Sequence, residues 1–190
     1  MSSIKHLIVI AGPSSSGKST LLKRISLGEL PNLSKQIQID SPYLYSTIHA
    51  SRLPIKPKKF KPKLVVHYDF VNQQRVRGGF NLLRDLIKRS EKTTILTLHA
   101  PQKSLYCRMN KRFKKDILKL ICHPCKSSLK ALKNSRLTRS LYKNTDFLLN
   151  AYTEWFVFIE NNNVTTHFIL DSTSSDLPNA VLYKPGKNLT

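Results

Sequence analysis

The sequence predicts an α/β protein with three layers, in which a parallel sheet of about five strands is covered by helices on both faces. Strand-like apolar runs alternate with segments of helical spacing along most of the chain, the pattern of a parallel sheet with crossover helices. The first apolar run, residues 7–10, is continuous, as in a strand that is buried on both faces. The chain has 190 residues, 40% of them hydrophobic, which is enough for one domain with a real core.

The elements of the first half follow from the apolar runs and the residues that interrupt them. We expect a strand over 6–11, a helix that begins near Gly17 or Lys18, and a short strand over 35–40. The stretch 41–63 is expected to be an insert that begins as a loop and a short helix. From residue 52 onward the insert holds six basic residues, three prolines and no acid. Because proline blocks regular structure, the insert should end as an electropositive loop.

The second half continues the alternation. Its expected elements are a strand over 63–69, a helix over 78–90, a strand over 92–100, a helix opened by Pro101, two further helices between about 127 and 160, and a strand over 165–170. Residues 1–171 should therefore form one domain. Within it, the basic helical region 102–145 is a candidate lid, and 172–190 is expected to be a polar tail.

Charge and cysteine content narrow the function classes. Lys and Arg total 32 and Asp and Glu total 11, so the net charge is +21. Such a charge favours nucleic acid, phosphorylated substrates or an acidic membrane surface as partners, although a generally Lys-rich composition would also produce it. Three cysteines are too few for a disulfide framework and fit a reducing compartment. No apolar run is long enough for a transmembrane segment or a signal peptide, so a cytoplasmic protein is expected.

The segment GPSSSGKS matches the pattern G-x-x-x-x-G-K-[ST], with a buried strand before it and an amphipathic helix after it. The glycines let consecutive backbone N–H groups point inward, and the helix N-terminus adds partial positive charge. Lys18 would reach the β- and γ-phosphates, Ser19 would bind Mg²⁺, and Thr20 would support the α-phosphate. The nucleotide-binding residues expected are Gly12, Pro13, Ser14, Ser15, Ser16, Gly17, Lys18, Ser19 and Thr20.

This pattern is the Walker A motif, and AGPSSSGKST resembles the loops of P-loop NTPases. Its form is similar to the loops of small-molecule and nucleotide kinases such as guanylate kinase. The resemblance implies a P-loop NTPase fold that binds a nucleoside triphosphate. Residues 41–62 do not match the substrate region of guanylate kinases, which argues against that particular enzyme.

Two acids are candidates to complete the site. Asp69 follows an apolar strand, where P-loop enzymes carry the Walker B acid that holds Mg²⁺ or a metal-bound water; the alternative is an Asp that caps the next turn. Asp40 ends the segment QIQID, and IDSPYLYSTIH resembles the VDS stretch of chloramphenicol phosphotransferases. That resemblance implies that Asp40 orients the acceptor hydroxyl or takes its proton; the alternative is a helix N-cap.

Two arginines are candidates to stabilise a transferred phosphoryl group. Arg108 and Arg112 lie four residues apart and should share a helix face, and TILTLHAPQKSLYCRMNKRF resembles the strand and helix of guanylate kinases that lead to spaced arginines. Arg136 and Arg139 are expected in the lid. A run of basic side chains can equally be a solvated face.

Other polar and aromatic groups are expected to be structural. The CHPC segment has metal-like spacing but no second cysteine pair, so surface or buried thiols are favoured over zinc. His67, His99 and His167 are expected to pack in or at the ends of strands. The aromatic segment 152–158 should be helix packing on the sheet, or else a strand.

The resulting hypothesis is a P-loop kinase that uses ATP and Mg²⁺, with Lys18, Asp40, Asp69, Arg108 and Arg112 as the catalytic set. The acceptor is expected to be anionic. Two alternatives stay open: a nucleic-acid-associated NTPase or polynucleotide kinase, and a non-catalytic or sulfotransferase-like nucleotide-binding protein. ATP is favoured over GTP because no N-K-x-D motif is present.

Overall fold

The computed structural model describes residues 4–39, 45–49, 62–73, 80–173 and 181–182. Within these residues the sheet has six strands, in the order β2-β3-β1-β4-β5-β6. They are β1 (Ile4–Ala11), β2 (Tyr45–His49), β3 (Lys63–Tyr68), β4 (Ser90–His99), β5 (Thr166–Asp171) and β6 (Val181–Leu182). The first five are parallel, and β6 pairs antiparallel with β5 at the edge.

The helices cover both faces of this sheet. They are α1 (Lys18–Ser26), α2 (Pro31–Gln36), α3 (Phe70–Gln73), α4 (Asn81–Lys88), α5 (Gln102–Cys122), α6 (Lys126–Leu141) and α7 (Thr145–Glu160). Proline at the first position of α2 suits a helix start because its missing N–H would have no partner there. The Asn144 side chain accepts hydrogen bonds from Asp146 N and Phe147 N at the start of α7, which is the usual N-cap arrangement.

Two apolar cores explain the three layers. Alternate side chains of β1 point to opposite faces of the sheet. Leu7 and Val9 join a core with α4, α5 and α7, whereas Ile8 and Ile10 join a second core with α1 and α2. Both faces of the central strand are therefore buried, which accounts for its uninterrupted apolar sequence. The predicted fold class, an α/β protein with helices on both faces of a mainly parallel sheet, is confirmed.

Most predicted elements are present, but two in the first half were wrong. Residues 35–40 were expected to form a strand, whereas α2 runs through Gln36 and a turn follows it. Leu33 and Ile37, four residues apart, are both buried in the second core, so helical spacing governs this stretch. A short helix was expected within 41–53, but β2 pairs in parallel with β3 there.

Part of the predicted site lies outside the described residues. Asp40 and the basic loop over 52–61 belong to this part, as does most of the tail. No helix in the described part of the chain is both long enough and apolar enough to cross a membrane.

The topology brings the site to one edge. The carboxyl ends of parallel strands lie at the same edge of a sheet, and ligands of open α/β sheets bind there. Gly12 follows β1, Asp69 follows β3, and Ser172 follows β5. Residues far apart in sequence thus meet at the start of α1.

Candidate functional site

The loop over 12–17 joins β1 to α1 and depends on two glycines. A Cβ atom on Gly12 would lie 2.6 Å from Ser16 Oγ and 3.1 Å from the Leu98 carbonyl oxygen, so a side chain does not fit there. Gly17 has φ +98°, a left-handed conformation that glycine adopts without strain. The Gly12 amide donates to Tyr68 O at 3.2 Å, which fixes the loop to the end of β3.

Lys18 is the centre of the loop. Its side chain is 3% exposed, and Nζ donates to Gly12 O at 2.8 Å and to Pro13 O at 2.7 Å. The charged amine is therefore held inside the curve of the loop by backbone carbonyls. Burial lowers the pKa of Lys18, the carboxylate of Asp69 opposes that effect, and the Arg112 guanidinium adds to it. An ammonium ion in this position would gain from a nearby anion.

Asp69 lies beside the loop, at the end of β3. Ser14 Oγ donates to Asp69 Oδ2 at 2.6 Å, and Lys18 Nζ lies 3.8 Å from the same oxygen. The sequence predicted an acid at this strand end, and the structure brings it against the loop. The short hydrogen bond holds the carboxylate in a fixed orientation at the mouth of the site.

A cleft of about 510 Å³ opens above the loop. Among the ionisable residues in its wall, Lys18, Arg24, Arg108 and Arg112 are cationic and Asp69 is the acid. The full lining is Ser14, Ser15, Ser16, Gly17, Lys18, Ser19, Thr20, Leu21, Arg24, His67, Asp69, Leu98, Arg108, Arg112 and Ser172. Cations so outnumber acids that the cleft is suited to a polyanion.

The two predicted arginines differ in their surroundings. Arg108 donates through Nη2 to Ser172 O at 2.5 Å and through Nη1 to Ser15 O at 3.5 Å. It therefore joins the loop over 12–17 to the segment after β5. Arg112, one turn later on α5, has a side chain that is 54% exposed, and its Nε lies 3.9 Å from Asp116 Oδ2.

Four residues of the site were not predicted. Ser19 Oγ lies 3.4 Å from His67 Nε2, so His67 borders the cleft, although it was expected to be a packing residue. Arg24 and Ser172 also line the cleft. Tyr142 lies behind the loop and donates to Ser14 O at 2.9 Å. Of these four residues, only Arg24 could have been predicted from the sequence, because it lies less than two turns into the helix that follows the loop.

The residues present fit a Mg²⁺–triphosphate group. The hydroxyl of Ser16 is buried and has no hydrogen-bond partner within the described residues. The loop therefore contains a polar group that could form a hydrogen bond with a ligand. Among those residues, no three His, Cys, Asp or Glu side chains form a metal cluster. Mg²⁺ at nucleotide sites takes one or two protein ligands together with phosphate oxygens and waters, and Ser19 and Asp69 are the residues that could serve as such a pair.

A buried histidine, the aromatic segment and two cysteines lie outside the cleft. His167 is 6% exposed and packs in the sheet, with Nε2 2.8 Å from Thr97 Oγ1. The aromatic segment 152–158 is helical and buries Trp155 against the sheet. Cys122 and Cys125 are exposed free thiols at the turn between α5 and α6.

The predicted lid region is a pair of packed helices. α5 and α6 contact one another along an antiparallel hairpin. The Nε of Arg139 donates to Asn110 Oδ1, and its guanidinium lies 5.1 Å from the centre of the Phe113 ring. Arg139 thus ties the two helices together and does not extend into the cleft.

Comparisons with known proteins give little beyond this geometry. No protein-family model matches the chain, and no curated protein matches it in sequence. Among solved structures the chain is similar to shikimate kinase from Bacteroides thetaiotaomicron, at 11% sequence identity and a TM-score of 0.28. The likeness covers 81% of this chain and 98% of that one.

Proposed function

We propose that this protein is a phosphotransferase of the P-loop kinase type, which moves the γ-phosphoryl group of ATP to an anionic acceptor and uses Mg²⁺. The environment of Lys18 carries the proposal. Its amine is buried at the N-terminus of α1, inside a loop whose amides can bind phosphate oxygens. Within the described residues, the acid that faces this amine is Asp69, and its Oδ2 lies 3.8 Å away. A bound anion could therefore approach the amine more closely than this carboxylate does.

The neighbouring residues have distinct roles in this proposal. Lys18 neutralises the β- and γ-phosphate oxygens, and Ser19 and Asp69 hold the metal. When bound, Mg²⁺ would neutralise charge that develops between the β- and γ-phosphates. Arg112 extends from α5 into the cleft wall and stabilises the equatorial oxygens of the group in transfer. Arg108 keeps the loop in position through its contacts with Ser15 O and Ser172 O.

The charge of the cleft favours an anionic acceptor. Arg24 and Arg112 both line it, and Arg24 Nε pairs with Glu29 at 3.1 Å, which leaves its other nitrogens for a substrate. The basic residues over 52–63 add to the same preference. Asp40 as the group that orients the acceptor hydroxyl stays a prediction.

Ligand-induced thermal stabilisation tests the proposal. Mg²⁺–ATP at about 100 times its dissociation constant should stabilise the folded chain by about 2.7 kcal/mol. Lys18→Ala should abolish this gain. Lys23→Ala is the matched control because Lys23 is an exposed lysine on the same helix, and its variant should respond as the wild type does. Equal stabilisation of both variants would show that the nucleotide binds elsewhere.

The alternatives are separated by adding other ligands to the same measurement. A stronger response to adenosine 3′,5′-bisphosphate than to Mg²⁺–ATP would favour a sulfotransferase-like protein. Binding of ATP without phosphoryl transfer to any of a panel of phosphorylated, sulfated and carboxylated acceptors would favour a non-catalytic protein. A kinase should consume ATP faster in the presence of one acceptor class, and the Lys18→Ala variant should lose that increase.

A further inference from the structure

The distal half of the α5–α6 hairpin extends away from the core. Met109 is the last fully buried residue of α5, and residues 110–122 add about 20 Å of helix beyond it. In α6 the buried residues are Ser128, Ser135 and Thr138, small polar side chains that allow the two helices to pack closely. We call residues 114–133 the hairpin tip. The nucleotide cleft is formed by earlier residues of α5, so this segment has no part in the site already described.

The hairpin tip is strongly basic. Six lysines and one acid lie within it, and all six lysines are exposed. They are Lys114, Lys115, Lys119, Lys126, Lys130 and Lys133. The acid, Asp116, is already faced by the guanidinium of Arg112. The lysines therefore present an almost uncompensated positive surface.

The same segment exposes large apolar side chains. Leu118 is 62% exposed, Ile121 is 71% exposed, and Leu129 is 43% exposed. Leu118 and Ile121 are three residues apart and share one side of α5. Leu129 lies in the first turn of α6, next to the turn that joins the two helices. Apolar side chains at the end of a projecting, lysine-rich hairpin are the combination found in segments that lie in a lipid interface.

We propose that the hairpin tip docks on an anionic membrane surface, with Leu118, Ile121 and Leu129 entering the headgroup region and the lysines facing acidic lipid headgroups. The chemistry favours this occupant over two others. A second copy of the chain would bring the same lysines together, which the net charge of +21 opposes. A nucleic-acid backbone would satisfy the lysines but would leave the apolar side chains without a partner.

Vesicle sedimentation of the full chain, without nucleotide, tests the proposal independently of the kinase function. Vesicles of phosphatidylcholine with about one third phosphatidylserine should bind the protein at least about tenfold more strongly than pure phosphatidylcholine vesicles. The double variant Leu118→Asn/Ile121→Asn should lose about tenfold in binding to the anionic vesicles. Leu27→Asn/Leu149→Asn is the matched control because Leu27 is 61% and Leu149 is 64% exposed, outside the hairpin; it should bind as the wild type does.

The charge contribution needs its own pair of variants. Lys119→Glu/Lys130→Glu reverses two charges within the tip, whereas Lys35→Glu/Lys88→Glu reverses two exposed lysines elsewhere. Both pairs change the net charge equally. The proposal expects a loss of several-fold or more in the first pair only. Equal losses in the two pairs would mean that overall charge alone attracts the protein to the vesicles, and this would overturn the proposal.

A fluorescent label reports insertion at the tip itself. Cys107 and Cys122 are both exposed on α5, but only Cys122 lies in the tip. With the other cysteines replaced by serine, an environment-sensitive dye on Cys122 should shift to the blue when anionic vesicles are added, whereas a dye on Cys107 should not. No shift at Cys122, or retention of vesicle binding by Leu118→Asn/Ile121→Asn, would overturn the proposal. Polyuridylate binding that exceeds vesicle binding at equal ionic strength would assign the surface to nucleic acid instead.

Discussion

The hydroxyl of Tyr142 donates a hydrogen bond of 2.9 Å to the backbone carbonyl of Ser14. Tyr142 is fully buried at the end of α6, and its burial raises the pKa of the phenol, so the group stays a neutral donor. The hydroxyl of Ser14 in turn donates to Asp69. One residue of the phosphate loop therefore connects the end of the basic hairpin with the acid at the end of β3.

Removal of the Tyr142 hydroxyl should weaken both the fold and the site. Tyr142→Phe removes the hydrogen bond that the Ser14 carbonyl accepts from this hydroxyl, which should lower the free energy of unfolding by about 1 kcal/mol. It should also weaken nucleotide binding, because Ser14 is part of the loop. Urea denaturation and nucleotide titration measure the two effects. Ser90→Ala is the control, since its hydroxyl donates to Leu86 O at 2.7 Å at the start of β4, the opposite end of the sheet from the loop. Unchanged nucleotide affinity in Tyr142→Phe would contradict this coupling.

The two loop glycines should respond differently to substitution. Gly12→Ala places a methyl group 3.1 Å from a backbone oxygen and 2.6 Å from Ser16 Oγ, so the loop or β4 must shift, at a cost of about 1–3 kcal/mol. At Gly17 no atom lies within 4 Å of an added Cβ. Gly17→Ala should cost only the strain of a positive φ, about 1–2 kcal/mol. Thermal unfolding of the two variants with and without Mg²⁺–ATP measures their stability and their nucleotide binding. Nucleotide binding by Gly12→Ala as strong as that of the wild type would contradict the expected shift of the loop.

Substitutions at Arg108 and Arg112 should affect different properties: stability for Arg108 and phosphoryl transfer for Arg112. Arg108→Gln loses charged hydrogen bonds to Ser15 O and Ser172 O and should lower stability by about 1–2 kcal/mol even without ligand. Arg112→Gln removes a side chain that is 54% exposed and whose Nε lies 3.9 Å from Asp116 Oδ2, so stability should change by less than about 0.5 kcal/mol. Phosphoryl transfer by Arg112→Gln should nevertheless fall by about 10- to 1000-fold. Equal stability losses in the two variants would contradict the distinction.

Acid should destabilise the fold through His167. Burial lowers its pKa from 6.5 to about 4. Trp155 Nε1 donates to Thr97 Oγ1 at 2.9 Å, so the Thr97 hydroxyl can donate to His167 Nε2 at 2.8 Å. Burial is what disfavours the charged imidazole. As pH falls from about 6.5 to 4, the unfolded chain binds a proton that the folded chain excludes, and stability should fall by about 3 kcal/mol.

His167→Gln is the matched variant for this pH dependence. Glutamine retains an acceptor for Thr97 but does not titrate in this range. Urea denaturation at a series of pH values should show a shallower decline for the variant between pH about 6.5 and 4. Parallel curves for the two proteins would mean that other groups cause the acid sensitivity.

The sequence predicted the site residues that lie within one short motif or at the end of an apolar strand. It did not predict the residues that come to the site from distant parts of the chain. Gly12 to Thr20 form one loop and one helix start, and Asp69 follows a plainly apolar strand, so pattern and position sufficed. Tyr142 bonds to loop residue Ser14, and Ser172 bonds to Arg108 in the cleft wall, both from far along the chain. Their polar atoms bond to backbone or other side chains there, and no spacing in the sequence reveals such contacts.

The two wrong predictions in the first half of the chain, a strand over 35–40 and a short helix within 41–53, also arose because the fold supplies contacts that the local sequence does not show. The stretch 35–40 has alternating apolar residues, which suggested a strand, but Pro31 and the burial of Leu33 and Ile37 make its first half helical. The strand at 45–49 gains its regular structure from pairing with β3. Strand formation depends on such neighbours more than on local propensity, so this strand was not apparent from the sequence.

The central place of β1 in the sheet has a consequence for hydrogen exchange. Its residues from Leu7 to Ala11 are completely buried between β3 and β4, so their amides should exchange with solvent only when the whole sheet opens. The phosphate loop begins directly at this strand. A nucleotide that holds the loop therefore opposes global opening and should slow exchange across the entire sheet, well beyond the residues that it touches.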